Sequence, residues 1–442
     1  MKVLKFGGSS LSSAARMKHV AGLVRQGEKS IVVLSAVADT TNTLVEISDY
    51  LYKKNPEGAN EIISQLEQKY ISYCQSLLQT DEYRNQLLEI LKSHFDYIRS
   101  FTKDFFTLFE ENIVLSQGEL LSTRMLEFYL KEQGIHSVVI PALEFMRTDK
   151  NSEPDVVYIR EQLTKLLSAH EDASYYITEG FICRNAYGEV NNLKRGGSDY
   201  SASLIGAAIQ AEEIQIWTDI DGMHNNDPRF VENTMPVRSL HFDEAAELAY
   251  FGAKILHPTC ILPAKLANIP VRLLNTLEPE ALGTLISNST DKGIIKAVAA
   301  KDAITAINIK SGRMLLAHGF LRKVFEIFES HQTAIDMVTT SEVAVSLTID
   351  NIKNLEKIVD DLRKFGTVTI EKEMVIICVV GDLEWKNVGF ENKAIHAVKD
   401  VPVRMISYGG SNYNISFLVK AEDKKRALQS LSAHLFNDTD NK

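Results

Sequence analysis

The chain opens on Lys2-Val3-Leu4-Lys5-Phe6, followed by Gly7-Gly8-Ser9-Ser10. A stretch with Met17, Val20 and Val24 at helical spacing comes next, and then the run Ile31-Val32-Val33-Leu34-Ser35. This strand–loop–helix–strand order constrains the fold more than any other feature. A strand that is apolar at every position, with β-branched residues, is buried on both faces. Such strands sit in parallel sheets covered by helices on each side. The opening therefore predicts an α/β domain with a mainly parallel sheet.

From about residue 43 to 115 the rhythm changes. Ile62, Leu66, Tyr70, Cys74 and Leu77 recur at helical spacing, and so do Leu87, Leu88, Leu91, Phe95, Ile98 and Phe105. This reads as a helical insertion serving as a cover or a subunit contact. Strands are predicted at 137–140, 175–178, 213–217 and 271–274, and helices at 117–133, 155–169, 199–211 and 242–251. The first domain, 1–288, closes near Gly283-Thr284-Leu285-Ile286, and the polar stretch Asn288 to Gly293 reads as a linker. Beyond it, in 294–442, strands and helices alternate in βαββαβ order about twice, close to a ferredoxin-like unit.

Charge and cysteine usage narrow the function. Lys and Arg total 48 against 58 Asp and Glu, a formal net charge of -10. That balance disfavours a broad nucleic-acid surface but leaves room for a local basic pocket. No apolar run approaches the roughly 18 residues that a membrane helix needs. The apolar start is too short, and too broken by Lys5 and the glycines, for a secretory signal. Cys74, Cys183, Cys260 and Cys378 form no CxxC pair, which fits reduced thiols and a cytoplasmic location.

Five segments carry chemistry. In Lys5-Phe6-Gly7-Gly8-Ser9 a lysine ends a strand and two glycines let backbone N–H groups approach an anion, aided by the following helix; a tight turn explains the glycines equally well. Ser116-Gln117-Gly118-Glu119 places a carboxylate at the start of an apolar helix, where the helix dipole alone would favour it. Lys194-Arg195-Gly196-Gly197-Ser198-Asp199-Tyr200-Ser201 packs a guanidinium, a hydroxyl and a carboxylate before a helix; a cap explains Ser198 or Asp199 but not the whole cluster. Trp217-Thr218-Asp219-Ile220-Asp221-Gly222, running on to Asp227-Pro228-Arg229, is no calcium loop, which needs Gly at position six and Glu at twelve, because Phe230 stands at twelve. A loop at the carboxyl end of a strand is instead where such folds bind nucleotides. The fifth segment, Phe251-Gly252-Ala253-Lys254-Ile255-Leu256-His257-Pro258, is weak alone. His241 and His257 lack partners at ligand spacing, so no metal site is read. Neither a GxSxG elbow, a GxGxxG fingerprint nor a Walker loop occurs.

Together and in this order, these segments resemble the aspartate kinases of the amino-acid kinase family, over nearly the whole chain. The resemblance implies an α/β/α sandwich followed by two ferredoxin-like ACT units. It also implies transfer of the γ-phosphoryl group of ATP, carried with Mg2+, to the side-chain carboxylate of L-aspartate. That product feeds lysine, threonine, methionine and diaminopimelate synthesis. By this resemblance Lys5 holds the transferring phosphoryl oxygens with the Gly7 and Gly8 amides and Ser9, and Asp199 organises Lys5. Arg195 takes the substrate α-carboxylate, Glu119 its α-ammonium, and Thr41 a further contact. Thr218, Asp219, His224, Arg229, Lys254 and Ile255 line the ATP site. Relatives often carry Tyr at the position of His224.

The segments around Gly319-Phe320-Leu321 and Asp336 to Glu342 resemble the effector site of the lysine-sensitive class, which makes L-lysine the expected inhibitor. Its contacts would be Met314, Phe320, Leu321, Asp336, Ser341 and Glu342, with Ala317 where relatives tend to have Ser. One ACT unit (303–372) is expected to be inserted in a second built from 294–300 and 373–442. Pairing of these units would make a homodimer or higher homo-oligomer. The rival readings are a related kinase such as acetylglutamate kinase, glutamate 5-kinase or uridylate kinase, and a non-catalytic ACT-type amino-acid sensor. Glu119 with the Arg195–Asp199 cluster favours a free α-amino acid over the related kinases, and the intact set Lys5, Arg195, Asp199 and Lys254 speaks against the sensor.

Overall fold

The computed structural model describes residues 1–26, 28–103, 105–194, 196–252, 257–289, 291–312 and 318–436. The chain forms two compact units, Met1–Met223 with Leu256–Asn288, and His224–Ile255 with Ser289–Lys442.

The first unit begins with β1 (Lys2–Phe6), α1 (Ala14–Gln26), β2 (Ser30–Leu34), α2 (Thr40–Tyr52), α3 (Pro56–Leu77), α4 (Asp81–Ser100) and α5 (Leu108–Glu132). It continues through β3 (Ser137–Val139), α6 (Ala142–Phe145), α7 (Val156–Ser168), β4 (Tyr175–Glu179), β5 (Ile182–Arg184), β6 (Val190–Asn192), α8 (Gly197–Ile209) and β7 (Ile214–Thr218). The chain then enters the second unit with β8 (Ser239–His241) and α9 (Phe242–Tyr250), and returns with α10 (Leu262–Leu266), β9 (Val271–Asn275) and β10 (Thr284–Ser287). Within the first unit the strands are ordered β3-β4-β2-β1-β7-β9-β10. They are parallel from β3 to β9, and β10 is antiparallel to β9. Every residue of β2 is buried, as its apolar run predicts.

The helical stretch is core rather than appendage. Ile63, Leu66, Tyr70, Cys74, Leu87, Leu91 and Phe95 share one buried cluster with Leu11, Met17 and Val20. Phe105 departs from the expected helical row: it lies beyond α4 and is 85% exposed. The helix predicted from residue 117 starts nine residues earlier. Thr107 Oγ1 accepts the Phe109 N–H at 3.3 Å and the Glu110 carboxylate accepts the Thr107 N–H at 2.8 Å, a capping box that fixes the start of α5. Glu119 therefore sits in mid-helix, and the expected stabilisation by the helix N-terminus does not apply to it.

In the second unit β11 (Ile295–Lys310), α11 (Phe320–Ser330), β12 (Val338–Thr340), β13 (Ala344–Ile349), α12 (Leu355–Arg363), β14 (Thr367–Gly381), α13 (Phe390–Ala397), β15 (Met405–Tyr408), β16 (Asn414–Lys420) and α14 (Lys424–Phe436) follow in order. One antiparallel sheet runs β12-β13-β11-β14-β16-β15. From sequence the two longest strands are expected as four short ones, near 294–300 and at 304–310, 367–371 and 374–380. A register shift between Lys301 and Ile304, with Ala303 at φ 61, joins them instead, as a β-bulge bends a strand without ending it. Residues 295–301 of β11 pair with the end of β14, and 306–310 pair with its beginning. Each half has its own core: Ile307, Phe320, Val324, Val345 and Ile358 in one, Val298, Ile377, Phe390, Phe417 and Leu428 in the other.

Residues 224–255, read in sequence as part of the first domain, cluster with the second unit. The Asn414 side-chain amide donates to Glu247 of α9. After α9, Gly252 (φ 123) lies so close to β11 that a Cβ would stand 2.2 Å from the Ala300 oxygen.

Candidate active site

Parallel strands place their carboxyl ends along one edge, and side chains there come from segments far apart in sequence. In this chain the loops after β1, β2 and β4 and the first turn of α8 line one cleft of about 370 Å3. Its walls include Lys5, Gly8, the loop Ser35 to Asp39, Thr41, Asn42, Glu119, Phe181, Lys194, Gly196, Gly197, Ser198 and Asp199. The cleft lies beside β1, whose neighbours are β2 on one side and β7 on the other. That is where the strand order reverses and where open α/β sheets bind ligands.

Lys5 and Asp199 meet here. The ammonium lies 2.7 Å from Asp199 Oδ1, and both side chains are nearly buried, at 11% and 13% exposure. Asp199 stands in the first turn of α8, where a carboxylate is favoured. An ammonium has three donors, so pairing with one carboxylate oxygen leaves it donors for a further anion.

Two glycines are required by close approach. A Cβ on Gly8 would stand 2.8 Å from the Ala36 carbonyl oxygen. Gly196 has φ 72, and a Cβ there would stand 2.7 Å from Cys260 Sγ. The two neighbouring amides differ. The Gly7 N–H donates to the Trp217 carbonyl at 3.1 Å, so it is spent on the sheet and not offered to an anion, against the expectation above. Gly8, in contrast, lines the cleft. A short 3-10 turn, Gly8–Leu11, separates the loop from α1, so the helix does not follow the glycines directly. The Ser9 carbonyl in that turn accepts Arg16 Nη1 at 2.6 Å.

Glu119 is the most unusual group. It is 3% exposed, and Oε2 has no hydrogen-bond partner among the described residues. Burial pushes its carboxyl up to about 8, against hydrogen bonds from the Ala36 and Glu119 N–H groups; a smaller upward push comes from Glu179 and a downward pull from Lys5. Glu179, at the end of β4, was not singled out in the sequence. It accepts the Ala142 N–H at 2.8 Å, and burial pushes it up to about 7. The signal was present as a carboxylate directly following the strand-like run Tyr175-Tyr176-Ile177-Thr178. Thr41 lies in the first turn of α2 and faces the cleft, while its neighbour Thr40 is buried and 2.9 Å from the Tyr70 hydroxyl.

The expected nucleotide residues fall in both units. Thr218 ends β7 and its hydroxyl donates to Asp219 at 3.1 Å. In the second unit His224 Nδ1 lies 2.8 Å from Thr234 Oγ1, and Arg229 grips the Asp227 carboxylate through Nε and Nη2, the latter at 2.6 Å. Of the effector residues, Phe320 and Leu321 open α11 behind Gly319, and Ser341 and Glu342 are exposed between β12 and β13. Asp336, expected as an effector contact, already has partners on one of its oxygens. Its Oδ1 is held by Lys301 at 2.6 Å and by the Tyr250 hydroxyl at 2.9 Å. Arg195, Lys254, Ile255, Met314 and Ala317 lie outside the described residues.

Comparison with known proteins identifies the family and the fold. The sequence model of the amino acid kinase family matches residues 1–275, and an ACT domain model matches 377–435. Chloroplastic aspartokinase 1 of Arabidopsis thaliana is 36% identical over 461 residues, covering 99% of this chain and 80% of that protein. The chain belongs to the aspartokinase family. Lysine-sensitive aspartokinase 3 of Escherichia coli is 31% identical, covering 98% of this chain and 99% of the relative. Two crystal structures of the Escherichia coli aspartokinase III superpose at 31% identity. The complex with aspartate and ADP (R-state) has a TM-score of 0.84 and covers 99% of this chain and 100% of that one; the complex with lysine and aspartate (T-state) has 0.81 and covers 99% of each.

Proposed function

We propose that this aspartokinase transfers the γ-phosphoryl group of ATP to the side-chain carboxylate of L-aspartate, giving 4-phospho-L-aspartate and ADP. The observation that carries this reading is one cleft holding the Lys5–Asp199 ion pair together with the buried, unpartnered Glu119. A carboxylate oxygen attacks phosphorus, the new O–P bond forms, and the bond to the bridging oxygen of ADP breaks. The attacking group is already ionised at neutral pH, so no general base is needed. Catalysis rests on positioning and charge.

Lys5 neutralises charge on the transferring oxygens, and Asp199 holds the ammonium in place. Glu119 pairs with the α-ammonium of the substrate; this gives its orphaned oxygen a partner and replaces its proton. Arg195 takes the α-carboxylate and Thr41 a further contact. Thr218, Asp219, His224, Arg229, Lys254 and Ile255 take the nucleotide, which arrives as its magnesium complex. The two halves of the antiparallel sheet are read as two ACT units, the first inserted in the second. Their pairing makes a homodimer. L-lysine inhibits by binding between Phe320, Leu321, Asp336 and Glu342, where the negative charge suits its ammonium groups.

An acyl phosphate reacts with hydroxylamine to give a hydroxamate. The protein incubated with ATP, Mg2+, hydroxylamine and L-aspartate should form aspartyl hydroxamate, and far less with glutamate or N-acetylglutamate. Equal or greater product from N-acetylglutamate would overturn the substrate reading.

A further inference from the structure

The Asp336 carboxylate is bound asymmetrically. Its side chain is 1% exposed, yet all its donors meet Oδ1: Lys301 Nζ at 2.6 Å and the Tyr250 hydroxyl at 2.9 Å. Oδ2 is buried and has no hydrogen-bond partner among the described residues. Lys301 also reaches Asp350 at 2.9 Å and stands 4.3 Å from the centre of the Tyr250 ring. One ammonium thus serves two carboxylates, leaving a net negative charge and an unused acceptor on the buried one. A buried carboxylate oxygen without a donor is costly, and an ammonium is a fitting partner for it.

Tyr250 ends α9, and two residues further on the backbone of Gly252 packs on the carbonyl of Ala300, next to Lys301. The end of α9 is therefore tied to β11 at two adjacent points, one of them through Asp336. In the sequence this end runs directly into Lys254 and Ile255, to which nucleotide contacts are assigned.

We propose that the Tyr250–Asp336 hydrogen bond is the link through which an amino-acid effector at Asp336 is sensed by α9, the helix that precedes Lys254 and Ile255 in the chain. This inference rests on the effector reading above. An ammonium arriving on Oδ2 draws the carboxylate toward itself and weakens its hold on the neutral Tyr250 hydroxyl, while Lys301 is left to Asp350. A ligand changes a conformational equilibrium only through contacts that differ between the two states, and the Tyr250–Asp336 contact is the one this proposal requires to differ.

Tyr250→Phe keeps the ring over Lys301 and removes only the hydroxyl. Lysine binding to the full-length variant and wild type is measured by calorimetry, and residual aspartate kinase activity at saturating lysine is measured beside it. The expected result is that the variant still binds lysine, but that its residual activity at saturation is several-fold higher than in wild type. Inhibition as complete as in wild type would overturn the link, and so would loss of lysine binding, which would make Tyr250 a ligand contact. If wild type itself neither binds lysine nor is inhibited by it, the effector reading fails, and this inference with it.

Discussion

Glu119 shows how burial converts an ordinary side chain into a recognition group. A carboxyl pushed up to about 8 by desolvation is protonated in the ligand-free protein at neutral pH. It must be ionised to pair with an ammonium, so aspartate binding below that value releases a proton. The sign follows: as pH falls from 8 to 6 the Michaelis constant for aspartate should rise, approaching tenfold per unit, while the constant for ATP changes little. Glu119→Gln should weaken aspartate recognition by on the order of 2–5 kcal/mol and flatten this dependence. A steady-state pH series on both proteins checks it, and an unchanged slope in the variant would mean that another group titrates. The residue types of the cleft were legible, because Lys5, Glu119 and Asp199 stand in segments that no plain turn or cap explains together. The environment of Glu119 was not, because the start of its helix was misplaced and nothing local in the sequence shows which groups bury it.

The elements were legible where local chemistry is strong. Buried β-branched residues mark β2 and β7, and apolar rows mark α3 and α4. The start of α5 was missed although Thr107-Leu108-Phe109-Glu110 spells a capping box, because the stronger apolar pattern begins later. Thr107→Ala should cost about 1 kcal/mol of stability, read as a lower urea midpoint. Turnover of the folded variant should stay near wild type, since Thr107 is twelve residues from Glu119. No loss of stability would mean that the cap is dispensable. The continuity of β11 was illegible for a different reason: strands near 294–300 and at 304–310 are expected separately, whereas the structure joins them through a bulge.

At the scale of the whole molecule, the alternation of strands and helices announced a parallel sheet followed by an antiparallel region, and both are present. The clustering of residues 224–255 with the second unit was hidden, although the kinase family model runs through them to residue 275, because it depends on contacts such as Gly252 against Ala300 that no local pattern encodes. The central claim is that the cleft at the carboxyl ends of β1, β2 and β4 transfers phosphoryl groups through Lys5. The most direct test is turnover of Lys5→Ala beside wild type, with folding checked by circular dichroism and aspartate binding by calorimetry. Losing a preorganised charge at the reacting oxygens should lower kcat by roughly 100- to 1000-fold or more, with aspartate binding within a few-fold of wild type. A correctly folded variant that turns over within a few-fold of wild type would contradict the account.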